Sequence, residues 1–169
     1  MTARRPCGEK ENKLRRVLVV DDDRDLRWLL SSFLGAEGYE VITAEEGEAA
    51  LNQVETQHPD VILLDLKMPG VDGVKTLERL RRKQCRVPVI LLTAHHDILS
   101  PLQAAKMGAY DFISKPFDNE DLLISLERAL EKGDLARAVE EMSTSVEEEK
   151  LLKQVVVDEW FDCEEGSWD

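Results

Sequence analysis

The chain has 169 residues, 43% of them hydrophobic, and a formal net charge of −13. That is room for one ordinary domain with an appendage and enough apolar content for a core, while no run approaches the roughly 18 apolar residues that span a bilayer. The N-terminus has no apolar leader, and Cys7, Cys85 and Cys163 are odd in number, far apart and in no metal-ligand spacing, so a cytoplasmic protein with reduced thiols and no membrane partner is expected. Charge is uneven: residues 134–169 hold twelve acids and three bases, which leaves −4 for residues 1–133. The opening RRPCGEKENKLRR is mildly basic but short, and residues 1–13 read as a flexible segment. An acidic chain without a basic recognition helix is repelled by phosphate backbones, so no direct nucleic-acid contact is expected.

Taken in chain order, strand-like and helical runs alternate. The first strand is Arg16–Val20 (RVLVV). It is followed by a helical pattern in which Leu26, Leu29, Leu30, Phe33 and Leu34 share one face at i, i+3, i+4, i+7 and i+8. Asp23 stands before that helix as its N-cap, and Gly38 ends it. Glu40–Thr43 is the weakest strand signal and leads into a helix over Glu45–Gln57 carrying Ala49, Ala50 and Val54. Val61–Leu64 precedes a helix from Gly73 to Lys83 with Val74, Leu77 and Leu80 inward. Val87–Leu92 precedes one from Asp97 to Met107 with Leu99, Leu102 and Ala105. Asp111–Ser114 is the fifth strand, and Asp118 caps a helix to Lys132 carrying Leu122, Leu123, Leu126 and Leu130. Five alternations within about 115 residues demand a parallel, doubly wound α/β sheet with helices on both faces. Near-continuous apolar strands agree, because both of their faces are covered.

In such sheets, ligands bind beyond the carboxyl ends of the strands. The first strand ends at Asp21 and Asp22, the third at Asp65, the fourth at Thr93, and the fifth leads to Lys115. Like charges gathered at one edge repel and are costly to desolvate, so a cation is expected among them. Hard oxygen ligands in a half-open site suit Mg²⁺. His95 and His96 are adjacent on a loop and lack helical ligand spacing, which leaves them as solvated residues.

The fragments VLVVDDD, VILLDLKMPGVDG, VILLTA and GAYDFISKPF, in that order and each at a strand end, resemble the receiver domain of two-component response regulators. The resemblance runs from about Leu14 to Lys132, makes residues 14–133 the expected receiver domain, and implies the flavodoxin-like strand order 2-1-3-4-5. It implies that Asp65 is the phosphoacceptor for a sensor histidine kinase or a histidine phosphotransfer protein. Asp21 and Asp22, with Asp65 and the backbone carbonyl of Lys67, would hold Mg²⁺. Thr93 would be the switch hydroxyl, Lys115 the partner of the phosphoryl group, and Phe112 the aromatic switch position. Lys67 and His95 would flank the path of the water that ends the signal. Catalysis would then be confined to self-phosphorylation and self-dephosphorylation. A haloacid-dehalogenase-type phosphatase also uses an aspartyl phosphate, but in DLKMP Lys67 stands where its second acid belongs. A geometric argument adds a cis Lys115–Pro116 bond, since Lys115 must turn toward the acids while the chain reverses.

Residues 134–169 continue as an acidic, partly helical extension, with Leu135, Val139, Met142 and Val146 at 3.5-like spacing. Its end, with Trp160, Phe161 and Trp168 among acids, reads either as a docking peptide or as a solvated tail. It contains no Walker motif and no helix-turn-helix, although GAYDFISKPF resembles the receivers of nitrogen-regulation-type activators. The leading expectation is a receiver that switches partner binding or forms a homodimer through its fourth helix, fifth strand and fifth helix. A phosphotransfer intermediate or phosphate sink, and the receiver fragment of a longer DNA-binding transcriptional activator, remain alternatives.

Overall fold

The computed structural model describes residues 13–68, 72–94 and 100–162, with the backbone alone at 101 and 144–162. Strands β1 (Arg16–Val20), β2 (Glu40–Ala44), β3 (Val61–Asp65), β4 (Val89–Thr93) and β5 (Asp111–Ser114) alternate with helices α1 (Arg24–Ala36), α2 (Gly47–Gln57), α3 (Gly73–Arg82), α4 (Pro101–Lys106) and α5 (Asn119–Asp162). All four strand pairings are parallel and the order is β2-β1-β3-β4-β5, as the alternation and the resemblance predict. Pro88 explains why β4 starts two residues later than the sequence pattern suggests: it has no N–H to give to a ladder.

Strand residues alternate between two cores. Leu18, Val20, Ile62, Leu64 and Leu91 pack with Ala50 and Leu51 of α2, Leu77 and Leu80 of α3 and Ala104 of α4. On the other face Val17, Val19, Leu63, Ile90 and Leu92 pack with Leu30 and Leu34 of α1 and Leu122, Leu126 and Ala129 of α5. Burying both faces of β3 and β4 leaves every residue of these strands out of water, and each large side chain so placed contributes about 1.5–3 kcal/mol of transfer free energy.

Among the described residues, three members of the predicted apolar stripes, Leu29, Leu102 and Ala105, lie outside these cores. Leu29 is 55% exposed because α1 aims Leu30 and Leu34 at the sheet, which leaves Leu29 on the rim. In α4 the buried residue is Ala104 rather than Leu102, since that helix is a short one whose inward face is set by its Ser100 cap and Pro101. Residues 1–12, Pro69–Val71, His95–Leu99 and the last seven residues, with Cys7, Cys163 and Trp168, lie outside the described residues. Cys85 is a free thiol.

The chain divides into two compact units, Met1–Leu130 and Glu131–Asp169. The expected boundary at Gly133 falls inside a continuous α5. One interior glycine costs a helix only about 1 kcal/mol relative to alanine, too little to break one this long. In the second unit Leu135, Val139 and Met142 are exposed. Among the described residues no helix is long and apolar enough to cross a membrane.

Gly73 marks a close approach of two elements. Its N–H donates to the Leu66 carbonyl at 3.0 Å, which brings the start of α3 against the end of β3. A Cβ there would lie 2.2 Å from the Asp65 carbonyl oxygen and 2.7 Å from Leu66 Cα, both backbone atoms that cannot swing aside. Gly35, inside α1, has nothing within 4 Å of a built Cβ. Gly73→Ala should therefore lower stability by about 1–3 kcal/mol, while Gly35→Ala should raise it by about 0.5 kcal/mol. Urea unfolding of both variants checks the pair, and a neutral Gly73→Ala would contradict the close approach.

Candidate functional site

β1 pairs β3 with Val20 opposite Leu64, so the residues that follow, Asp21 and Asp65, leave neighbouring strands side by side. Asp21 is fully buried. Its N–H extends the β1–β2 ladder to the Ala44 carbonyl at 3.2 Å, its Oδ1 accepts from the Asp23 N–H at 2.9 Å, and its Oδ2 accepts from Lys115 Nζ at 2.7 Å. Asp65 is 6% exposed; its Oδ1 accepts from the Lys67 N–H at 3.4 Å and lies 3.5 Å from Lys115 Nζ. Asp22 is exposed, yet carboxylate oxygens of Asp21, Asp22 and Asp65 all come within 4.8 Å of one another. Asp23 turns away to cap α1, accepting from the Asp25 and Leu26 N–H groups at 3.0 and 3.3 Å.

Lys115 reaches this cluster from the far edge of the sheet. Its N–H donates to the Thr93 carbonyl at 2.7 Å, and its peptide bond to Pro116 is cis, as expected. Thr93 is buried, and its hydroxyl lies 3.4 Å from the Ile113 carbonyl and 3.5 Å from Ser114 Oγ, which directs it toward β5. Phe112 is half-buried against the core and lines an open groove of about 460 Å³ with Pro116, Phe117 and Ile124. His95 lies outside the described residues. The strand ends thus bring Asp21, Asp22, Asp65 and Lys115 together, while Thr93 faces the neighbouring strand.

Burial is the main reason that the Asp65 carboxyl is pushed up from 3.8 to about 6; the Asp21 charge adds to it, and Lys115 and the Lys67 N–H oppose it. One ammonium does not compensate two buried carboxylates and a third beside them. Three hard oxygen donors this close, with one of them open to solvent, fit a small divalent cation that keeps part of its water shell.

Residues missed from sequence are those that hold the site. Gly73 sets the approach of α3, Ser114 faces the Thr93 hydroxyl, and Arg27 bonds the Asp21 carbonyl at 2.7 Å. Arg27 left a signal: it stands at i where Leu30 and Leu34, at i+3 and i+7, are buried, and a charge on that stripe needs a polar partner.

A buried acidic pocket at the carboxyl edge of a parallel 2-1-3-4-5 sheet defines a flavodoxin-like signalling domain. The chain belongs to the response regulator receiver domain family, which it matches over residues 17–127. It is 36% identical over 126 residues to the regulatory protein AtoC of Escherichia coli strain K12, covering 75% of this chain and 27% of AtoC. It is 39% identical over 114 residues to the DNA-binding transcriptional regulator NtrC of the same strain, covering 68% of this chain and 24% of NtrC. Among solved structures, the receiver domain of NtrX from Brucella abortus superposes with a TM-score of 0.64 at 37% identity, covering 68% of this chain and 98% of that one. The Vibrio cholerae chemotaxis protein CheY4 gives 0.62 at 33% identity, with coverage of 69% and 99%.

The chain spans about a quarter of the length of AtoC and NtrC. NtrC binds DNA, so the expectation of no direct nucleic-acid contact, argued from the acidity of these residues, does not extend to a longer protein of that kind. Receiver domains generally bind Mg²⁺ at an acidic pocket and are phosphorylated by histidine kinases; here the acidic pocket is Asp21, Asp22 and Asp65.

The raised Asp65 value has a consequence for stability. The folded protein holds this proton more tightly than the unfolded chain, so the penalty is absent below 3.8, grows up to about 6 and is complete above that. Asp65→Asn removes it. In the presence of EDTA the variant should exceed the parent chain by about 3 kcal/mol at pH 7.5 and by much less at pH 4. Urea midpoints at the two pH values check this; a pH-independent difference would assign the strain elsewhere.

Proposed function

We propose that this chain is a phosphorylation-dependent switch in the cytoplasm, with Asp65 as the phosphoacceptor. The observation that carries the reading is the Asp65 carboxylate itself, buried at a strand end within 4.8 Å of the Asp21 and Asp22 oxygens and 3.5 Å from Lys115 Nζ. The donor is a phosphohistidine on a sensor histidine kinase or a histidine phosphotransfer protein. An Asp65 carboxylate oxygen forms the new bond to phosphorus as the P–N bond breaks, and the donor imidazole leaves with the electron pair and takes up a proton. The carboxylates of Asp21, Asp22 and Asp65 and the carbonyl of Lys67 would hold Mg²⁺, which would neutralise charge on the acids and on the phosphoryl oxygens. The step needs positioning and electrostatics more than covalent assistance.

The other residues act around that bond. Lys115, now on Asp21 Oδ2, exchanges that contact for a phosphoryl oxygen. Thr93 turns its hydroxyl from β5 toward the phosphoryl group, and Phe112 moves with it. Lys67 and His95 flank the water that later hydrolyses the acyl phosphate. Output runs through the face of α4, β5 and α5, by partner binding or by formation of a homodimer there. A second reading, the receiver piece of a longer DNA-binding activator, is favoured by the chain's spanning only 24% of NtrC. Both readings share the chemistry at Asp65.

Incubating the full chain with Mg²⁺ and labelled acetyl phosphate, or with a histidine kinase, should give base-labile labelling that Asp65→Asn abolishes. Asp22→Ala should keep the nucleophile but weaken Mg²⁺ by more than about tenfold. Undiminished labelling of Asp65→Asn would remove Asp65 from the role.

A further inference from the structure

Arg27 is a charged side chain on the buried stripe of α1, and its own side chain is only 15% exposed. Its Nη1 donates to the backbone carbonyl of Asp21 at 2.7 Å, and its Nη2 stands 3.8 Å from Glu45 Oε2, just past the end of β2. The Asp21 N–H is already taken by the Ala44 carbonyl, so this guanidinium finishes the hydrogen bonding of the residue at which the β1 ladder stops. The atom gripped is the carbonyl of the Asp21–Asp22 peptide. Fixing that peptide fixes the direction in which Asp22, the solvent-open member of the acidic cluster, leaves the strand. The guanidinium takes this carbonyl while Lys115 takes the Asp21 carboxylate, so the two cations divide the residue between them.

We propose that Arg27 is a positioning residue for the acidic pocket, holding the Asp21–Asp22 peptide so that the Asp22 carboxylate is set for a divalent cation. This rests on the cation reading of the pocket given above. The sign of its effect separates it from a bystander. A nearby positive charge by itself repels a second cation, so its removal on electrostatic grounds alone would tighten Mg²⁺ binding. Loss of a group that orients a ligand weakens it.

The test uses the full chain and the Arg27→Met, Arg27→Ala and Arg27→Lys variants. Arg27→Met keeps the apolar stem that packs along α1 and guards against simple loss of folding. Mg²⁺ is titrated by amide chemical shifts, and amide exchange is measured without metal. Arg27→Met and Arg27→Ala should bind Mg²⁺ about tenfold more weakly, with Arg27→Lys recovering most of the loss. Without metal, the Asp23 amide, which donates to Asp21 Oδ1 at 2.9 Å, should exchange roughly tenfold faster while β3 amides stay protected. Mg²⁺ binding as tight as in the parent chain or tighter, or an unchanged Asp23 amide, overturns the proposal. If the parent chain itself bound no Mg²⁺, the cation reading would fail, and the metal-free exchange would decide whether Arg27 holds the turn.

Discussion

The contact on which the site depends is the one between Lys115 and two carboxylates from neighbouring strands. Asp21 and Asp65 are both buried, and two such charges side by side would raise each other's cost of ionisation by mutual repulsion as well as by desolvation. Lys115 Nζ, 2.7 Å from one and 3.5 Å from the other, offsets part of that cost. It does not offset all of it, as the upward push on Asp65 shows. The pocket is therefore built with a deficit of positive charge, and that deficit is what a bound divalent cation can fill.

Topology decides how Lys115 can get there. With order β2-β1-β3-β4-β5, the fifth strand lies three places from the first, roughly 14 Å at about 4.8 Å per strand. No lysine spans that from within the sheet. Lys115 instead follows the last residue of β5, ties its N–H to the Thr93 carbonyl of β4, and leans across the end of β3 toward Asp21. The same crowding explains Gly73: α3 must start directly behind the Asp65 carbonyl, and a side chain would push it away. Site geometry and strand order are one constraint.

What sequence could disclose follows from which interactions have a local pattern. Strand ends are legible because β-rich runs stop at Asp21, Asp65 and Thr93, and a parallel sheet sends all such ends to one edge. The 3.6-residue period likewise exposed Leu77 and Leu80 of α3 and Leu122 and Leu126 of α5, which the structure buries. Leu29 and Leu102 fit the same period yet face water, since a stripe wider than the available contact always has a rim, and sequence does not say which side it falls on. Arg27, Gly73 and Ser114 act through backbone carbonyls or across a strand pair. Arg27 reaches six residues back and Gly73 seven or eight, across loops with no regular period, while Ser114 meets Thr93 twenty-one residues away, so no sequence period marks these contacts.

The β4–β5 seam is held unevenly, and that bears on how a change at Asp65 could spread. The Thr93 hydroxyl sits 3.4 and 3.5 Å from its two partners, long for O–H···O contacts that favour about 2.7–2.8 Å. Little is lost if it turns away. By contrast, Ser125 Oγ donates to Asp111 Oδ2 at 2.5 Å, a short charge-assisted bond that pins the start of β5 to α5. Phe112 lies between the two, on the strand and half-buried against the core that includes Leu91 and Ala104, and it also lines the groove beside α5. The Thr93 hydroxyl is thus the weakly held group of this seam, while the 2.7 Å bond from the Lys115 N–H to the Thr93 carbonyl and the Asp111–Ser125 bond hold the two ends of β5.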